Sequence, residues 1–326
     1  MTNIVQWCLS RANLRVMRLS SYRKVMRDLH RPAPGPREAL TETETDDQFA
    51  REATLAEPLA IPRVPGSFFI KVKVDYPGVF KPNPADYVYQ PVADLFERHR
   101  AGIDRNVKIL APAMDCESLN QLPTMHVNDV DPHWNNGMFE RDDARAAYAM
   151  TARLRPRRIL EVGSGNSTKF FRKAITDHRI NCELVCIDPQ PRAEIDTVAD
   201  RIIYKHVKDV DTREFAALRD GDILFWDGSH IAFNGTDTTH LYLSLLPLIT
   251  RNVYVHIHDV QLPNEYECGY SAHYYNEQYL LATLLLNSTE WKPVLPVHWL
   301  HGRGRLRHGG ASFWMARRHL RCARTP

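Results

Sequence analysis

Carboxylates and histidines follow two apolar segments of this chain, at places where an α/β sheet presents side chains to a ligand. Residues 222–226 precede Asp227 and His230, and residues 253–257 precede His258 and Asp259. The carboxyl ends of neighbouring parallel strands share one edge of a sheet, so Asp227 and Asp259 are expected to lie close together.

These residue types suit proton transfer or a metal. Histidine titrates near neutrality and can act as a general base, and paired carboxylates can hold a hard cation such as Mg²⁺. We predict His230, His258 and Asp259 as catalytic residues, and Asp227, His258 and Asp259 as ligands of an optional divalent metal. Two simpler roles stay open: Asp259 can merely hydrogen-bond a catalytic histidine, and His230 can be a structural loop residue.

A glycine turn at residues 161–168 predicts a nucleotide-type ligand. The apolar residues Ile159, Leu160 and Val162 indicate a buried strand, and Gly163 and Gly165 permit a tight turn. Capping residues then begin a helix whose free N–H groups suit an anion. A dinucleotide fingerprint needs a third glycine, where Thr168 stands, so NAD is disfavoured. Asp188 ends the next predicted strand, where a carboxylate can accept ribose hydroxyls, and Asp209 follows the third strand. The predicted cofactor-binding residues are Glu161, Gly163, Ser164, Gly165, Asn166, Ser167, Asp188, Asp209 and Asp227.

The order of elements predicts a doubly wound, Rossmann-like α/β sheet that is mostly parallel and has an antiparallel strand at its edge. The predicted strands are Arg158–Val162, Glu183–Asp188, Arg201–Tyr204, Asp222–Asp227 and Asn252–Asp259, with two late strands near Trp291–Trp299 and Ala311–Ala316. The predicted helices are Pro91–Arg100, Phe139–Leu154, Lys169–Ile175, Asp237–Leu248 and Asn276–Leu286.

Before this region the chain changes character three times. Residues 1–31 have the pattern of a basic amphipathic helix that can contact an anionic membrane surface. Residues 32–66 form a linker rich in proline and acidic residues, and residues 67–130 form an accessory segment that can serve as a substrate lid. Residues 131–326 then hold the catalytic domain.

Composition narrows the class of protein. The chain has 326 residues, of which 44% are hydrophobic and 25% charged, with a net charge of only +3, which gives no overall sign of a nucleic-acid partner. Its six cysteines form no CxxC pair, which indicates a reducing, cytoplasmic compartment. Peripheral contact with a membrane stays open because of residues 1–31. No apolar segment has the length of a membrane span or signal peptide.

The later motifs, taken together, resemble one family. These motifs are Gly221-Asp222-Ile223-Leu224-Phe225-Trp226-Asp227-Gly228-Ser229-His230, Gly235-Thr236-Asp237, Leu246-Pro247-Leu248, Val255-His256-Ile257-His258-Asp259-Val260-Gln261-Leu262-Pro263, Asn276-Glu277-Gln278-Tyr279-Leu280-Leu281 and Gly309-Gly310-Ala311-Ser312-Phe313-Trp314. They resemble bacterial class I methyltransferases that use S-adenosylmethionine (SAM). Gly228 and Gln261 depart from the family's usual serine and phenylalanine. The resemblance implies a seven-stranded sheet and methyl transfer from SAM to a small-molecule acceptor, and we expect a hydroxyl of a metabolite or sugar.

Two other functions remain open from the sequence. One is a metal-dependent oxygenase on the same fold, with His256, His258 and Asp259 as ligands. The other is a non-catalytic SAM-binding protein that is held at a membrane by residues 1–31.

Overall fold

The apolar segments of the second half of the chain form one sheet. The computed structural model describes residues 83–84, 86–191, 195–267, 269–270 and 273–317. Within them the strands are β1 (Arg158–Val162), β2 (Glu183–Ile187), β3 (Arg201–Ile203), β4 (Ile223–Trp226), β5 (Tyr254–Ile257), β6 (Trp291–Pro296) and β7 (Phe313–Arg317). The apolar segments that we predicted as strands correspond to β1, β4 and β5. These strands are almost entirely buried, as parallel strands covered on both faces require.

The strand order is β3-β2-β1-β4-β5-β7-β6, and β7 pairs antiparallel with both β5 and β6. The predicted seven-stranded Rossmann-like fold is therefore confirmed. The antiparallel strand, however, lies one position in from the edge at which we predicted it. Edge position suits β6, because Pro293 and Pro296 cannot donate hydrogen bonds to a ladder.

Helices cover the sheet. They are α1 (Gln90–Met114), α2 (Glu117–Asn120), α3 (Arg141–Leu154), α4 (Asn166–Asp177), α5 (Arg213–Ala216), α6 (Asp237–His240), α7 (Glu277–Asn287) and α8 (Val297–Gly302). Helix α3 ends at Arg155 in the left-handed conformation, just before Pro156, and this explains why its predicted end was correct. None of the described helices has the length and apolar character needed to cross a membrane.

Two helices differ from their predicted extent. The predicted helix 237–248 is divided into α6, a π-helical turn (Leu241–Leu245) and a 3₁₀ turn (Leu246–Leu248), and Pro247 interrupts the regular hydrogen bonding at its end. Helix α1 is much longer than predicted and packs against α3 and β6 through buried residues such as Phe96, Ile103 and Leu110. Helix α1 thus shares the core of the sheet, and the lid role of residues 67–130, of which 67–82 and 85 lie outside the described residues, stays a prediction. The basic helix 1–31 and the linker 32–66 lie outside the described residues.

Candidate active site

The glycine turn joins β1 to α4 and touches the end of β4. Gly163 has a φ of +79°, and a Cβ on it would lie impossibly close to the backbone oxygen of Asp227. The Asp227 N–H donates to the Val162 oxygen at 2.9 Å, so strands β1 and β4 meet at this point. A Cβ on Gly165 would meet nothing within 4 Å. The turn is therefore packed tightly at Gly163 and open at Gly165.

Glu161 lies beneath the turn and is fully buried. Its Oε1 accepts a hydrogen bond from the Ser167 hydroxyl at 2.5 Å, and its Oε2 lies 3.3 Å from the Cys186 thiol. Burial raises the pKa of Glu161 to about 7, although these hydrogen bonds act in the opposite direction. Glu161 and Ser167, both predicted to bind cofactor, therefore bind each other and connect β1, β2 and α4.

The other predicted cofactor residues surround the open side of the turn. Asp188 is half-buried after β2, and its Oδ2 accepts hydrogen bonds from the Ser164 N–H at 2.9 Å and the Ser164 hydroxyl at 3.1 Å. Asn166 is half-buried in the first turn of α4. Asp209 is exposed in a 3₁₀ turn (Val207–Asp209) after β3. The structure thus brings Asp188 directly onto the turn.

The predicted catalytic residues form a cluster at the carboxyl ends of β4 and β5. The His230 Nε2 lies 3.0 Å from Asp227 Oδ1 and 3.5 Å from Asp259 Oδ2. The His258 Nδ1 lies 3.5 Å from Asp227 Oδ1 and 3.4 Å from Asp259 Oδ1. His230, His258 and Asp259 are buried, whereas the Asp227 side chain is 35% exposed. Asp227 is therefore the member of this cluster that a ligand in the cleft can reach.

The backbone holds two of these residues in an unusual conformation. His230 and Asp259 have φ values of 58° and 55°, in the left-handed region that residues other than glycine rarely occupy. Hydrogen bonds compensate: the His230 oxygen accepts from the Asn276 and Glu277 N–H groups, and the Asp259 oxygen accepts from the Tyr266 hydroxyl. Such local strain is typical of functional sites.

Two acidic residues that the sequence reasoning missed complete the cluster. Glu277, fully buried at the start of α7, places Oε2 2.8 Å from His230 Nδ1. Asp143, fully buried in α3, places Oδ2 3.3 Å from His258 Nε2. Glu277 belongs to a motif that we noted only for its resemblance. Asp143 gave no signal, because an acid in the first turn of a helix is common without any function.

The carboxylates control the charge of the two imidazoles. Burial by itself lowers the pKa of His230, but its hydrogen bonds with Asp227 and Glu277 and the charge of Asp259 outweigh burial and hold this pKa well above its usual value. The pKa of His258 is also raised despite burial, chiefly by Asp259 and Asp227. For Asp227, burial raises the pKa, but the two histidines outweigh it and hold this pKa below its usual range. A protonated imidazole donates hydrogen bonds, so this arrangement favours an orienting role for His230 over the predicted role of base.

The cluster contains two groups of side chains with the donor atoms of a metal site. Single ligand atoms of Asp227, His230 and Asp259 all lie within 4.8 Å of one another, and those of Glu140, Asp143 and His258 form a second such group. The first group contains the two aspartates that we predict as metal ligands, but its histidine is His230 and not the predicted His258. Oxygen donors with one imidazole suit a hard divalent cation.

His256 lies apart from the cluster. Its Nε2 is 2.5 Å from the Ser312 hydroxyl, its ring stacks on Trp314 at 4.2 Å, and it is fully buried. Burial holds its pKa well below the usual value. Neither metal-type group among the described residues includes His256, so the ligand set proposed for an oxygenase does not assemble.

Comparison with known proteins agrees with this fold. Residues 160–260 match the model of a family described as a methyltransferase domain. The match covers about a third of the chain and confirms the resemblance to methyltransferases noted in the sequence, and the seven-stranded sheet is the one that this resemblance implies. An uncharacterized protein of Archaeoglobus fulgidus is 26% identical over 174 residues, which cover 43% of this chain and 75% of that protein.

Three solved structures are also similar. A methyltransferase from Geobacter sulfurreducens has 16% identity over 56% of this chain and 81% of its own, with a TM-score of 0.35. An O-methyltransferase from Bacillus cereus in complex with SAH has 13% identity over 71% of this chain and 96% of its own, with a TM-score of 0.36. The O-methyltransferase TomG from Streptomyces achromogenes, involved in tomaymycin synthesis and solved with SAM, has 14% identity over 70% of this chain and 96% of its own, with a TM-score of 0.35.

Proposed function

We propose that this methyltransferase transfers a methyl group from SAM to a hydroxyl of a small molecule, such as a metabolite or a sugar. One observation carries the proposal: the glycine turn and the carboxylate–histidine cluster are in direct contact through Gly163 and Asp227. A donor that is held at the turn and an acceptor that is held at Asp227 would therefore be neighbours. Methyl transfer requires that proximity above all, because it is an in-line displacement.

The turn fits the cofactor. The space above Gly165 is open, and the half-buried Asp188 lies against Ser164 at the same place. In this proposal Ser164, Gly165 and Asn166 hold the amino-acid part, Asp188 binds the ribose hydroxyls, and the exposed Asp209 lies near the base. Glu161 and Ser167 shape the turn from beneath. The bound cofactor supplies an electrophilic methyl group on a sulfonium.

Asp227 is the residue that would receive the acceptor hydroxyl, since it is the exposed carboxylate of the cluster. As the new carbon–oxygen bond forms, the bond from the methyl group to the sulfonium would break and the hydroxyl proton would pass to the Asp227 carboxylate, so that the products are a methyl ether, the demethylated cofactor and protonated Asp227. His230, hydrogen-bonded to Asp227 and backed by Glu277, orients this carboxylate. His258 and Asp259 hold it from the other side. In this way the histidines assist deprotonation by orienting the carboxylate that receives the proton.

A divalent cation such as Mg²⁺ is compatible with this arrangement. Asp227, His230 and Asp259 would hold it, with His258 close to both aspartates. When bound, the cation would lower the pKa of a coordinated hydroxyl. The cysteine pattern supports a cytoplasmic location for such a reaction.

The test is untargeted mass spectrometry of small-molecule extracts that have been incubated with the protein and trideuteromethyl-labelled SAM. We expect new labelled ethers with the wild-type protein. An Asp227→Asn variant should still bind SAM by calorimetry but lose about two to four orders of magnitude in transfer rate. A repeat after EDTA treatment, with and without added Mg²⁺, reports on the metal. Label on nitrogen or carbon, or wild-type rates in Asp227→Asn, would contradict the proposal.

A further inference from the structure

An aromatic side chain lies directly against the carboxylate–histidine cluster. The centroid of the Tyr275 ring is 4.7 Å from that of the His230 ring, and the two planes make an angle of 41°. The same imidazole places its Nε2 3.0 Å from Asp227 Oδ1. His230 therefore contacts the tyrosine ring on one side and the exposed carboxylate on another, so that Tyr275 and Asp227 are neighbours.

Tyr275 belongs to a group of four aromatic residues, which we call the aromatic wall: Tyr266, Tyr270, His273 and Tyr275. The Tyr275 ring centroid lies 5.8 Å from those of Tyr270 and His273 and 6.3 Å from that of Tyr266. Tyr266 in turn stacks on Tyr270 at 5.6 Å and donates a hydrogen bond from its hydroxyl to the Asp259 oxygen at 2.9 Å. This bond fixes the aromatic wall to the active site.

The aromatic wall is open on one side. Tyr275 and His273 are half-buried, and Tyr274 between them is 76% exposed. Tyr274 also has a φ of 59°, in the left-handed region that a bulky residue rarely occupies. Strain of this kind is typical of ligand sites, where the surrounding structure holds it in place. The wall thus presents aromatic surface to the solvent beside the cluster.

Polar side chains next to the aromatic wall already bond within the protein. Asn276 accepts a hydrogen bond from the Ala232 N–H, and Glu277 places its Oε2 2.8 Å from His230 Nδ1. A sugar would bring several hydroxyls, each of which must find a partner when it leaves water. A flat aromatic ring needs only another ring to pack against and one partner for its hydroxyl, and the wall and Asp227 offer these two.

We propose that the methyl acceptor is a phenol, whose aromatic ring packs on Tyr275 while its hydroxyl binds Asp227. This inference rests on the proposed function and narrows its substrate class. The phenolic oxygen bonds to the methyl carbon as the sulfonium–carbon bond breaks, and the hydroxyl proton passes to Asp227. The products are an aryl methyl ether, the demethylated cofactor and the protonated carboxyl. Tyr275 is then a specificity-determining residue, which binds the acceptor ring.

The first test is the position of the label after incubation of small-molecule extracts with the full chain and trideuteromethyl-labelled SAM. Tandem mass spectrometry assigns each labelled ether to an aromatic or an aliphatic oxygen, and we expect aryl methyl ethers. Labelled ethers on sugars or other aliphatic hydroxyls would overturn the phenol inference and leave the proposed function intact. The complete lack of labelled ethers would contradict the proposed function and the inference with it.

The second test is kinetic and uses the phenol that the first test identifies. Tyr275→Leu should raise the KM of this phenol about tenfold, a change of about 1.4 kcal/mol, because an aromatic contact is lost. Tyr275→Phe keeps the ring and should restore most of that affinity. Tyr254→Leu is the control, since Tyr254 is also half-buried but begins β5 at the opposite edge of the sheet.

All three variants should keep the wild-type melting temperature and SAM affinity, which shows that the fold and the cofactor site are intact. A wild-type KM in Tyr275→Leu would show that the acceptor does not pack on this ring. An equal rise of KM in Tyr254→Leu, or a loss in Tyr275→Phe as large as in Tyr275→Leu, would also overturn the proposal.

Discussion

Gly163 and Gly165 have different reasons to be glycine, and two alanine variants separate them. Gly163→Ala places a Cβ against the Asp227 oxygen at a positive φ, so we expect it to lower the free energy of unfolding by about 2 kcal/mol or more. Gly165→Ala projects its methyl group into open space, so the fold should tolerate it. In that variant we expect weaker SAM binding instead, because the methyl group would occupy cofactor space.

Urea unfolding and calorimetry with SAM measure the two effects independently. The Gly165→Ala protein should unfold within about 0.5 kcal/mol of wild type, as is usual for substitutions that clash with nothing. Unchanged SAM affinity in Gly165→Ala would mean that the cofactor does not lie over this turn.

Glu161 should make stability depend on pH. Its pKa is raised from 4.5 to about 7 in the folded protein, so the native state binds a proton more tightly than the unfolded state. The stability that this carboxyl contributes is therefore complete below pH 4.5 and is lost as the pH rises to about 7. A shift of this size corresponds to about 3 kcal/mol.

Glu161→Gln is the variant that measures it, since an amide does not titrate. We expect the free energy of unfolding of wild type, relative to Glu161→Gln, to fall by about 3 kcal/mol between pH 4.5 and pH 8. The difference between the two proteins removes the contributions of other titrating groups. A difference that is constant with pH would show that Glu161 is ionised at neutral pH in spite of its burial.

At the level of residues, the sequence predicted those sites that depend on local conformation. Gly163, Asp188, Asp227 and Asp259 could be located because glycine turns and strand ends leave a local pattern. Glu277 and Asp143 could not, since they reach the histidines from positions 47 and 115 residues away in the chain. The raised pKa of His230 was equally inaccessible, because it follows from three carboxylates that only the tertiary structure brings together.

The join between α3 and β7 depends on Asp143. Its two oxygens accept hydrogen bonds from the Ala311 N–H at 2.9 Å and the Ser312 N–H at 2.8 Å, just before β7 begins, and Oδ2 also faces His258. In Asp143→Asn one of the two accepting oxygens is replaced by an NH₂ group. This donor would face another N–H donor or the imidazole and could not accept their hydrogen bonds. We expect a loss of about 2–4 kcal/mol in the free energy of unfolding, because a buried network would be left partly unsatisfied.

Chemical denaturation measures this loss, and the comparison is between Asp143→Asn and the control variant Asp129→Asn. Asp129 is exposed and pairs only with the exposed His126, so its substitution should change stability by less than about 0.5 kcal/mol. Equal stability of the two variants would show that Asp143 does not support the join.

At the level of elements, the hydrophobic pattern predicted the order of strands and helices along the chain, but it did not predict the position of each strand within the sheet. Strand β7 is apolar enough to be a central strand. Its place between β5 and β6 is set by long-range pairing with residues such as Val255 of β5 and Pro293 of β6. The full length of α1 was also missed. Its apolar face is defined by α3 and β6, which lie far away in sequence, and Pro112 near its end argued against a helix.

At the level of the whole molecule, charge is distributed unevenly along the chain. Residues 1–31 contain seven basic residues and one acidic residue, a charge of +6, whereas the whole chain has +3, so residues 32–326 carry −3. Within that remainder, residues 291–326 contain eight basic residues and no acidic one, a charge of +8, so residues 32–290 carry −11. Attraction to an anionic surface should therefore come from residues 1–31 and 291–326, of which residues 1–31 have the amphipathic pattern. It should weaken with salt, because exposed charges are screened.

Co-sedimentation with anionic and with zwitterionic vesicles tests this distribution. We expect the full chain to bind anionic vesicles only, and the triple variant Arg11→Gln/Arg15→Gln/Arg18→Gln to lose about 3 kcal/mol of binding free energy, since each basic residue at such a surface contributes about 1 kcal/mol. The matched control is Arg98→Gln/Arg105→Gln/Lys108→Gln, three exposed residues of α1. An equal loss in both variants would mean that total charge governs binding. Binding that is independent of vesicle charge would mean that apolar side chains such as Trp7 and Leu14 dominate it, because burial of an apolar helix face is insensitive to salt.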